Sequence, residues 1–389
     1  MSNVTRWANF STTRNNPIQD TVPWVEWISL EYLHNNLHGF IGGDGLFDGV
    51  GHMQNVPAAA FDPIFYMHHW YVHLTSQFPP FKSRNLMPIS NIDRILAIWQ
   101  TLHSNSWWPP TDDDPPATDK LSPFHHQFPN GAIDYFDSND VRDWTTLGYQ
   151  YDVLKRQSSE EDAAYLARIR AWVEHTYAST GRVLLRDNRG LIPDIEGDAA
   201  GRTYYDYLIN VLYDRYALNG DPYSIHFFLG APPPQTPGKA GSRTALTKHP
   251  RHVGSVYNFS TPISSASAGQ PIIQCDNCKK QHDDGVLSAA QVPLTIPLHF
   301  LAGDERVTDI NTMDPRAVGS YLEKELSWVA VTTGGDVVPW DRLSKTKVYV
   351  LSGKAEHFED DSTLSIYTNY AALANVTQGK DAGASLEEY

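Results

Sequence analysis

Two histidines at helical spacing are the first residues in this chain that could do metal chemistry. His34 and His38 are separated by three residues, so on a helix both imidazoles lie on one face and can reach the same ion. A lone His-x-x-x-His motif is more often a pair of surface histidines than a metal site. A metal centre at this position therefore depends on further ligands from elsewhere in the chain.

A second histidine pair, His68-His69, stands on a segment with a helix-start signal. Asp62-Pro63 predicts that start, because Asp caps a first turn and Pro suits the first helical position. Adjacent helical residues point about 100° apart, so one member of the pair is expected to be a ligand. Phe65 lies one turn before His69 and can pack against its ring. This favours His69 as the third ligand and predicts that His68 turns aside.

A set of three neutral imidazoles without a carboxylate suits two metals. Catalytic zinc and copper are both bound in this way, and the residue types alone do not choose between them. The third helical histidine, the capped helix and the glycine-rich loop at 44–60 together favour a metal centre over surface histidines.

The composition of the chain limits its class and its partners. The chain has 389 residues, 41% of them hydrophobic, which is enough for two or three globular domains. A net charge of −15 argues against nucleic acid as a partner and against a polybasic membrane anchor. No apolar run has transmembrane length. The first residues form no hydrophobic signal core and the chain has two cysteines, so we expect a cytoplasmic protein without membrane contact.

The hydrophobic pattern changes along the chain. Residues 24–38, 91–102 and 158–178 have helical periodicity, and Ser158 with Glu161 predicts a capping box for the last of these helices. After about residue 201 the period becomes two, which indicates strands. The predicted strands include Tyr205 to Tyr213, YSIHFFLG, VPLTIPLHFL and KVYVLSG. An α+β multidomain fold is expected, with helices first and a β-rich sandwich-like or barrel-like domain after them.

The segments HNNLHGFIGG and GVGHMQNVPAAAFDPIFYMHH resemble the copper-B region of tyrosinases, the type-3 copper polyphenol oxidases, and most of all the fungal ones. WTTLGYQY resembles the Tyr-x-Tyr motif that closes the tyrosinase core, here Tyr149 and Tyr151. YYDYLINVLYDRYALNGDPYSIHFFLG and GSVYNFS resemble the C-terminal domain of fungal protyrosinases. The resemblance implies copper ligands at His34, His38 and His69.

The resemblance also implies an activity and its reactants. Tyrosinases oxidise monophenols and o-diphenols to o-quinones with O₂, the chemistry of melanin-type pigments. A catechol oxidase would share nearly every motif. A non-catalytic copper-handling relative and, more remotely, a three-histidine zinc hydrolase are the alternatives from other classes.

Roles for five further residues follow from the same resemblance. Glu31 and Asn35 would hold the water that helps to deprotonate a phenol, which is general-base catalysis through one bound water. Met53, Asn55 and Val56 match the loop over the copper site and would line the substrate pocket.

The C-terminal domain of fungal tyrosinases covers the copper site until a protease removes it. Phe259 is the residue expected to plug the substrate pocket here, the alternative being an aromatic of the β core. Removal is expected between Tyr151 and about residue 200. Cys275-x-x-Cys278 could bind Cu(I) and deliver copper, because soft thiolates prefer that ion, or it could form a disulfide.

The copper-B helix motif is interrupted after His69. The family pattern has Asp four residues after the ligand histidine, where this chain has His73; Asp93 would take that position if a single residue replaced 70–90. Asp93 could then be a hydrogen-bond partner of the ligand histidine. Codons for Trp70-Tyr71-Val72 can contain a fungal 5′ splice signal, so we expect 70–90 to be mostly a translated intron. The rival is a genuine loop insertion, and a cDNA sequence decides between them.

A type-3 site holds two coppers, each with three histidines, and only the second set is recognisable. The 33 residues before His34 contain no histidine, so we expect either a start annotated too late or a single-copper relative. The expected organisation is a partial copper-binding core at 1–151, a helical linker at 152–200 and a β-rich C-terminal domain at 201–389. Such a chain should bind at most one copper tightly.

Overall fold

The computed structural model describes residues 4–15, 26–43, 51–69, 92–107, 116–122, 124–128, 130–186, 201–234, 246–263, 276–304, 307, 309–360 and 363–388. The predicted insertion at 70–90 lies outside these residues. The helices are α1 (Trp7–Ser11), α2 (Leu30–Ile41), α3 (Pro63–His69), α4 (Ile92–Leu102), α5 (Asp162–Tyr177), α6 (Ser179–Leu185), α7 (Asp276–Asp283), α8 (Thr295–Ala302), α9 (Pro315–Glu325) and α10 (Ala374–Thr377). None of them has both the length and the apolar character needed to cross a bilayer.

The strands form three antiparallel sheets within the described residues. They are β1 (Arg14–Asn15), β2 (His125–Gln127), β3 (Ile133–Tyr135), β4 (Gly201–Tyr213), β5 (Tyr223–Leu229), β6 (His252–Asn258), β7 (Leu287–Pro293), β8 (Leu326–Thr332), β9 (Lys347–Phe358) and β10 (Ile366–Ala372). One sheet has the order β1-β7-β4-β9-β10, a second has β6-β5-β8, and β2 pairs with β3. The fold is therefore mixed α and β, with the β content concentrated after residue 200.

Local capping signals set the two helices that carry the histidines. The Ser29 hydroxyl accepts a hydrogen bond from the Tyr32 backbone at 3.1 Å and starts α2, so this helix begins six residues later than periodicity suggested. Asp62 accepts from the Ile64 backbone at 3.1 Å, and Pro63 is the first residue of α3, as predicted.

The helix α5, in the segment predicted to be a helical linker, packs against α4. Their shared cluster contains Ala97, Ile98, Trp144, Tyr151, Leu154, Tyr165 and Ile169. The predicted capping box is absent: α5 begins at Asp162, and its N-cap Glu161 makes no side-chain cap bond. Glu160 instead accepts from Arg168 at 2.8 Å, which fixes the entry to the helix.

The main core lies where the five-stranded and three-stranded sheets meet. One face of β4 contributes Tyr207, Ile209, Val211 and Tyr213 to this core, as the period of two predicted. The opposite face is buried as well, because Leu212 packs with Trp27 from the N-terminal part of the chain. The segment VPLTIPLHFL was predicted to be one strand, and this is wrong. Instead, β7 ends at Pro293 and α8 begins at Thr295.

The first described residues, 4–15, form a strap that joins the helices to the large sheet. Phe10 packs with Leu30 and Trp99 on the helical side. At its other end, β1 pairs with β7, and the Ala289 amide donates to the Thr13 carbonyl at 2.7 Å. The histidine-bearing helices and the C-terminal sheet are therefore bound together through this strap.

Candidate metal centre

Three histidine nitrogens from α2 and α3 converge on one point. The Nε2 atom of His34 lies 2.9 Å from that of His69 and 3.1 Å from that of His38, and the His38 and His69 Nε2 atoms are 3.4 Å apart. His34 and His38 lie one turn apart on α2, and His69 reaches them from the end of α3. The structure thus brings together the three residues that were predicted from the sequence to be ligands.

The other ring nitrogen of each histidine is held by an oxygen acceptor. The Nδ1 atoms of His34, His38 and His69 lie 2.9, 2.8 and 2.8 Å from the Asn35 side-chain oxygen, the Met53 carbonyl and the Phe65 carbonyl. Each Nδ1 therefore carries the proton and donates, which leaves a lone pair on each Nε2. Three lone pairs facing one another repel unless a cation lies between them.

Electrostatics keep these rings neutral. Burial, followed by the neighbouring His34, lowers the pKa of His38 to about 3. Burial also lowers the pKa values of His34 and His69. Neutral imidazole is the form that binds a metal, so the cluster needs no proton loss before an ion enters at neutral pH.

The spacing of the three nitrogens fits a copper-sized or zinc-sized ion. Metal–nitrogen bonds of about 2.0–2.1 Å place the ligand nitrogens of one ion roughly 3.3–3.6 Å apart. The observed Nε2 separations of 2.9–3.4 Å need an outward adjustment of a few tenths of an ångström. Ring rotation on helical side chains supplies that adjustment.

His68 belongs to the cluster, so the prediction that it turns aside is wrong. Its side chain is fully buried, its ring stacks on His34 at 5.1 Å, and the four histidines have donor atoms within 4.8 Å of one another. The physical reason is the helix face: Phe65, His68 and His69 are at i, i+3 and i+4, and the exposed Tyr66 and Met67 occupy the other side.

Two phenylalanines bracket the cluster. Phe65 packs against His69 with the ring centroids 4.0 Å apart, the contact expected from their one-turn spacing. Phe259, from the end of β6, stacks on His38 with the centroids 4.0 Å apart and the ring planes 14° apart, and it meets the His34 ring at 5.6 Å. The C-terminal domain thus places an aromatic ring directly on one predicted ligand.

Glu31 occupies a different place from the one predicted. One carboxylate oxygen accepts from Arg215 at 2.9 Å, and the other accepts from Thr12 and Thr13 at 2.8–3.1 Å. Burial raises the pKa of this carboxyl, but Arg215 and the two threonines outweigh burial and bring it to about 2. Both oxygens accept from these partners, and Glu31 thereby anchors α2 to the sheet.

Asn35 lies beside the cluster, with its side-chain amide nitrogen available as a hydrogen-bond donor. Its side chain is 2% exposed, and its oxygen pairs with His34. Within the described residues its amide nitrogen has no hydrogen-bond partner. A buried donor without a partner is costly, and a water or substrate oxygen would satisfy it.

The loop predicted to line the substrate pocket contributes mainly through its backbone. Met53 is fully buried and its carbonyl holds His38. Val56 is 39% exposed. Asn55 lines a cavity of about 340 Å³ shared with the C-terminal domain, where Ser260 and Arg342 form part of the wall. Met53 and Val56 are not among the described residues that line this cavity.

Asp93 was predicted to be a hydrogen-bond partner of the ligand histidine if a single residue replaced 70–90. In the structure its partners are different. Its carboxylate accepts from the Tyr149 hydroxyl at 3.1 Å and from the Tyr151 hydroxyl. Burial and the Asp93 carboxylate raise the pKa values of both tyrosines. His69 finds its partner within its own helix, at the Phe65 carbonyl. The Tyr-x-Tyr segment is thus clamped to the start of α4.

Removing this clamp should destabilise the helical half without affecting the metal site. We expect Asp93→Ala to lower the free energy of unfolding by about 1–3 kcal/mol, because the hydroxyls of the buried Tyr151 and the half-buried Tyr149 lose their acceptor. Metal affinity should stay within about twofold of the unmodified protein, since no metal ligand loses its partner. Denaturant unfolding and metal competition measure the two quantities, with the exposed Asp152→Ala as the control. A large loss of metal affinity would restore the role first predicted for Asp93.

One of the two cysteines lies within the described residues. Cys278 lies on α7 and is disulfide-bonded, whereas Cys275 lies outside the described residues. The copper-delivery role predicted for this pair requires thiolates, so it requires reduction of the bond at Cys278 first.

Two long-range contacts of the site were not predicted from the sequence. Arg215 pairs with Glu31 across 184 positions, and Tyr257 donates to the Gln54 carbonyl across 203 positions. The only local signal for Arg215 is a cation placed two residues after the end of the apolar strand β4. A charge in that position suggests a buried partner but does not name it.

The helices, the three-histidine centre and the covering β-rich domain define a metal-binding class of protein. Residues 1–75 match the common central domain of tyrosinase, and residues 206–350 match the tyrosinase C-terminal domain. The chain belongs to the tyrosinase family. This is a type-3 copper family, so copper is the ion for which the cluster is suited.

Individual relatives agree with this family. A tyrosinase from Aspergillus fumigatus is 38% identical over 88% of the chain and 50% of its own length. Polyphenol oxidase 3 from Agaricus bisporus is 32% identical over 51% of the chain and 33% of its own length. The structure of melB holo-protyrosinase from Aspergillus oryzae superposes with a TM-score of 0.56 at 26% identity, covering 94% of this chain and 49% of the other. The chain thus spans about half the length of the fungal tyrosinases that it matches.

Proposed function

We propose that this chain carries the copper-B half of a tyrosinase-type polyphenol oxidase, which oxidises monophenols and o-diphenols to o-quinones with O₂. The observation that carries the proposal is the convergence of the Nε2 atoms of His34, His38 and His69, with each Nδ1 held by an acceptor. Family membership supports the activity. Because the chain matches about half of the relatives' length, the proposal assigns to it one of the two copper sites.

Five residues of the chain have a defined role in the proposed function. Bound copper supplies the redox chemistry on oxygen and the phenol. His34, His38 and His69 hold the ion as neutral imidazoles. Asn35 uses its free amide donor to orient a water or the phenol oxygen beside the ion. Phe259 lies on His38 and excludes substrate until it moves.

The proposed architecture is a partial helical copper bundle at 1–151, a connecting segment at 152–200 and a β-rich sandwich-like or barrel-like domain at 201–389. A dinuclear site needs three more histidines, which we propose are supplied from outside the sequence given. We also propose that 70–90 is intron-derived. The splice signal that the codons of Trp70-Tyr71-Val72 can contain supports this, and a cDNA that retains the segment would contradict it.

Copper titration tests the proposal directly. The chain should bind about one Cu(II) tightly, following the single set of three converging nitrogens, and should oxidise phenols slowly as isolated protein. Two tight coppers, or rapid oxidation of a monophenol, would show that the site is complete. Failure to bind copper while binding zinc would support the hydrolase alternative. Rates on monophenols and o-diphenols separate tyrosinase from catechol oxidase.

Truncating the covering ring should open the site. We expect Phe259→Ala to raise the rate at which a small chelator removes bound copper by roughly two- to twelvefold, the equivalent of the 0.5–1.5 kcal/mol that an aromatic pair contributes. Stopped-flow extraction measures the rate. Phe300→Ala, which truncates a ring that is 57% exposed, is the control. Equal rates for both variants would mean that Phe259 does not limit access.

Proteolytic activation should leave the cut halves associated. We propose cleavage by an activating protease between Tyr151 and about residue 200, a range whose last part, 187–200, lies outside the described residues. The strap at 4–15 and the Glu31–Arg215 pair still join the halves after a cut. Size-exclusion chromatography should therefore show one particle of unchanged size, and spontaneous separation would contradict the strap's role.

A further inference from the structure

Tyr257 makes three contacts with the histidine-bearing part of the chain, more than an aromatic cover requires. Its amide donates to the Asn36 side-chain oxygen at 2.8 Å. Its ring lies so close to Gly39 that a Cβ at that position would be 2.5 Å from the ring. Its buried hydroxyl donates to the Gln54 carbonyl at 2.7 Å. Tyr257 is therefore seated against α2 and against the turn at residues 52–54.

Gly39 is a costly residue for its position. It lies inside α2, between His38 and Phe40, where glycine costs about 1 kcal/mol relative to alanine. The Tyr257 ring occupies the space that an alanine side chain would fill. The glycine thus permits the close approach of β6 to the metal-binding helix, and no capping or turn conformation explains it.

The turn that receives Tyr257 also holds a metal ligand. His38 donates from Nδ1 to the Met53 carbonyl at 2.8 Å, and the next carbonyl, that of Gln54, receives the Tyr257 hydroxyl. The turn is closed by a hydrogen bond from the Gln54 amide to Gly51 at 3.1 Å and by one from Asn55 to His52 at 3.1 Å. The consecutive carbonyls of Met53 and Gln54 therefore accept hydrogen bonds from the metal-binding helix α2 and from Tyr257 of β6.

We infer that Tyr257 is a positioning residue for His38. When the C-terminal domain is closed, the Tyr257 hydroxyl fixes the Gln54 carbonyl and with it the adjoining Met53 carbonyl, which sets the tautomer and the rotation of the His38 ring. Acceptors behind a ligand histidine control its orientation and its basicity. Closure of the domain thus shapes the metal site in addition to covering it. The inference rests on the proposed copper site.

Three substitutions separate positioning from covering. Tyr257→Phe keeps the ring against Gly39 but removes the hydroxyl, and should weaken copper affinity up to about tenfold, the lower end of the range for partners of metal ligands. Phe259→Ala should speed extraction without changing affinity. Gly39→Ala should unseat the Tyr257 ring and produce both effects. Equilibrium competition with a chromophoric chelator gives affinity, and stopped-flow mixing with the same chelator gives access.

A matched control lies on the same interface. Tyr32→Phe removes the hydroxyl that donates to the Ser255 carbonyl of β6 at 3.4 Å and that also bonds with the Asn36 side chain; neither partner belongs to the turn at 52–54. Its copper affinity should equal that of the unmodified protein. If Tyr257→Phe also keeps that affinity, or if Tyr32→Phe loses as much, Tyr257 only packs and the inference is wrong.

A measurement on metal-free protein keeps the inference separate from the proposed function. Amide hydrogen exchange at 51–56 should be faster in Tyr257→Phe than in Tyr32→Phe, because the turn loses one of its anchors. Unchanged exchange contradicts the coupling whatever the metal affinity is. If the unmodified protein binds no copper, the proposed function fails, and faster exchange at 51–56 still supports the mechanical link.

Discussion

Replacing His38 with alanine should lower copper affinity at least about a hundredfold, which exceeds the 10–100-fold loss typical of disturbing only the partner of a ligand. The change removes one of three converging nitrogens. It also removes the ring on which Phe259 stacks, so access should rise as affinity falls. Chelator competition measures affinity, and thermal unfolding of the metal-free protein shows that the variant is folded.

Two comparisons sharpen this result. His125→Ala, on the short ribbon formed by β2 and β3, should leave copper affinity unchanged. His68→Ala should cost less than His69→Ala, because the His69 Nε2 atom lies 2.9 Å from that of His34 and its Nδ1 proton is held by Phe65. Equal losses for His68 and His69 would make His68 a fourth ligand.

The second large effect is expected at the ion pair between α2 and the end of β4. Replacing Arg215 with methionine should lower the free energy of unfolding by about 3–5 kcal/mol, because it leaves a largely buried carboxylate without its counter-charge. The two side chains are 17% and 24% exposed for Arg215 and Glu31. Urea unfolding measures the loss.

The matching double variant tests the cause. Glu31→Gln combined with Arg215→Met removes both charges and should recover much of the loss, whereas two independent effects would add. Arg156→Met breaks a pair whose partners are 49% and 84% exposed, and should cost less than about 1 kcal/mol. A similar cost for Arg215 and Arg156 would mean that burial adds nothing to the Glu31 pair.

The same pair predicts a direction for acid unfolding. The pKa of Glu31 is about 2 in the folded protein, against an ordinary value of 4.5. Because the folded pKa is the lower one, the stabilisation is fully present above pH 4.5 and is lost as the pH falls from 4.5 towards 2. The pH dependence of unfolding should flatten over this interval in Glu31→Gln.

Sequence reasoning succeeded where the determining contacts are local. His34, His38 and His69 come together because two capped helices fix their faces within a turn or two. Phe65 meets His69 for the same reason. Spacing alone carries such information, since a helix converts it directly into direction.

Contacts between residues far apart in the sequence were not predicted. Nothing near Glu31 announces Arg215, and nothing near Asp93 announces that Tyr149 and Tyr151 take its oxygens. His68 was misplaced because the burial of a helix face depends on its neighbours. The segment at Pro297 was taken for a strand, although proline is tolerated in the first turn of a helix, here α8.

The strap at the start of the chain has a consequence for how the protein is made. Thr13 meets Ser288 at 3.2 Å across 275 positions. At roughly 5–20 residues per second of synthesis, about 14–55 seconds separate Thr13 from its partner strand β7. During that interval β1 has no partner and Trp27 has no sheet to cover. Long-range pairing of this kind slows folding. We therefore expect chaperones to bind the exposed strand and the apolar residues of the nascent chain until its last third has left the ribosome.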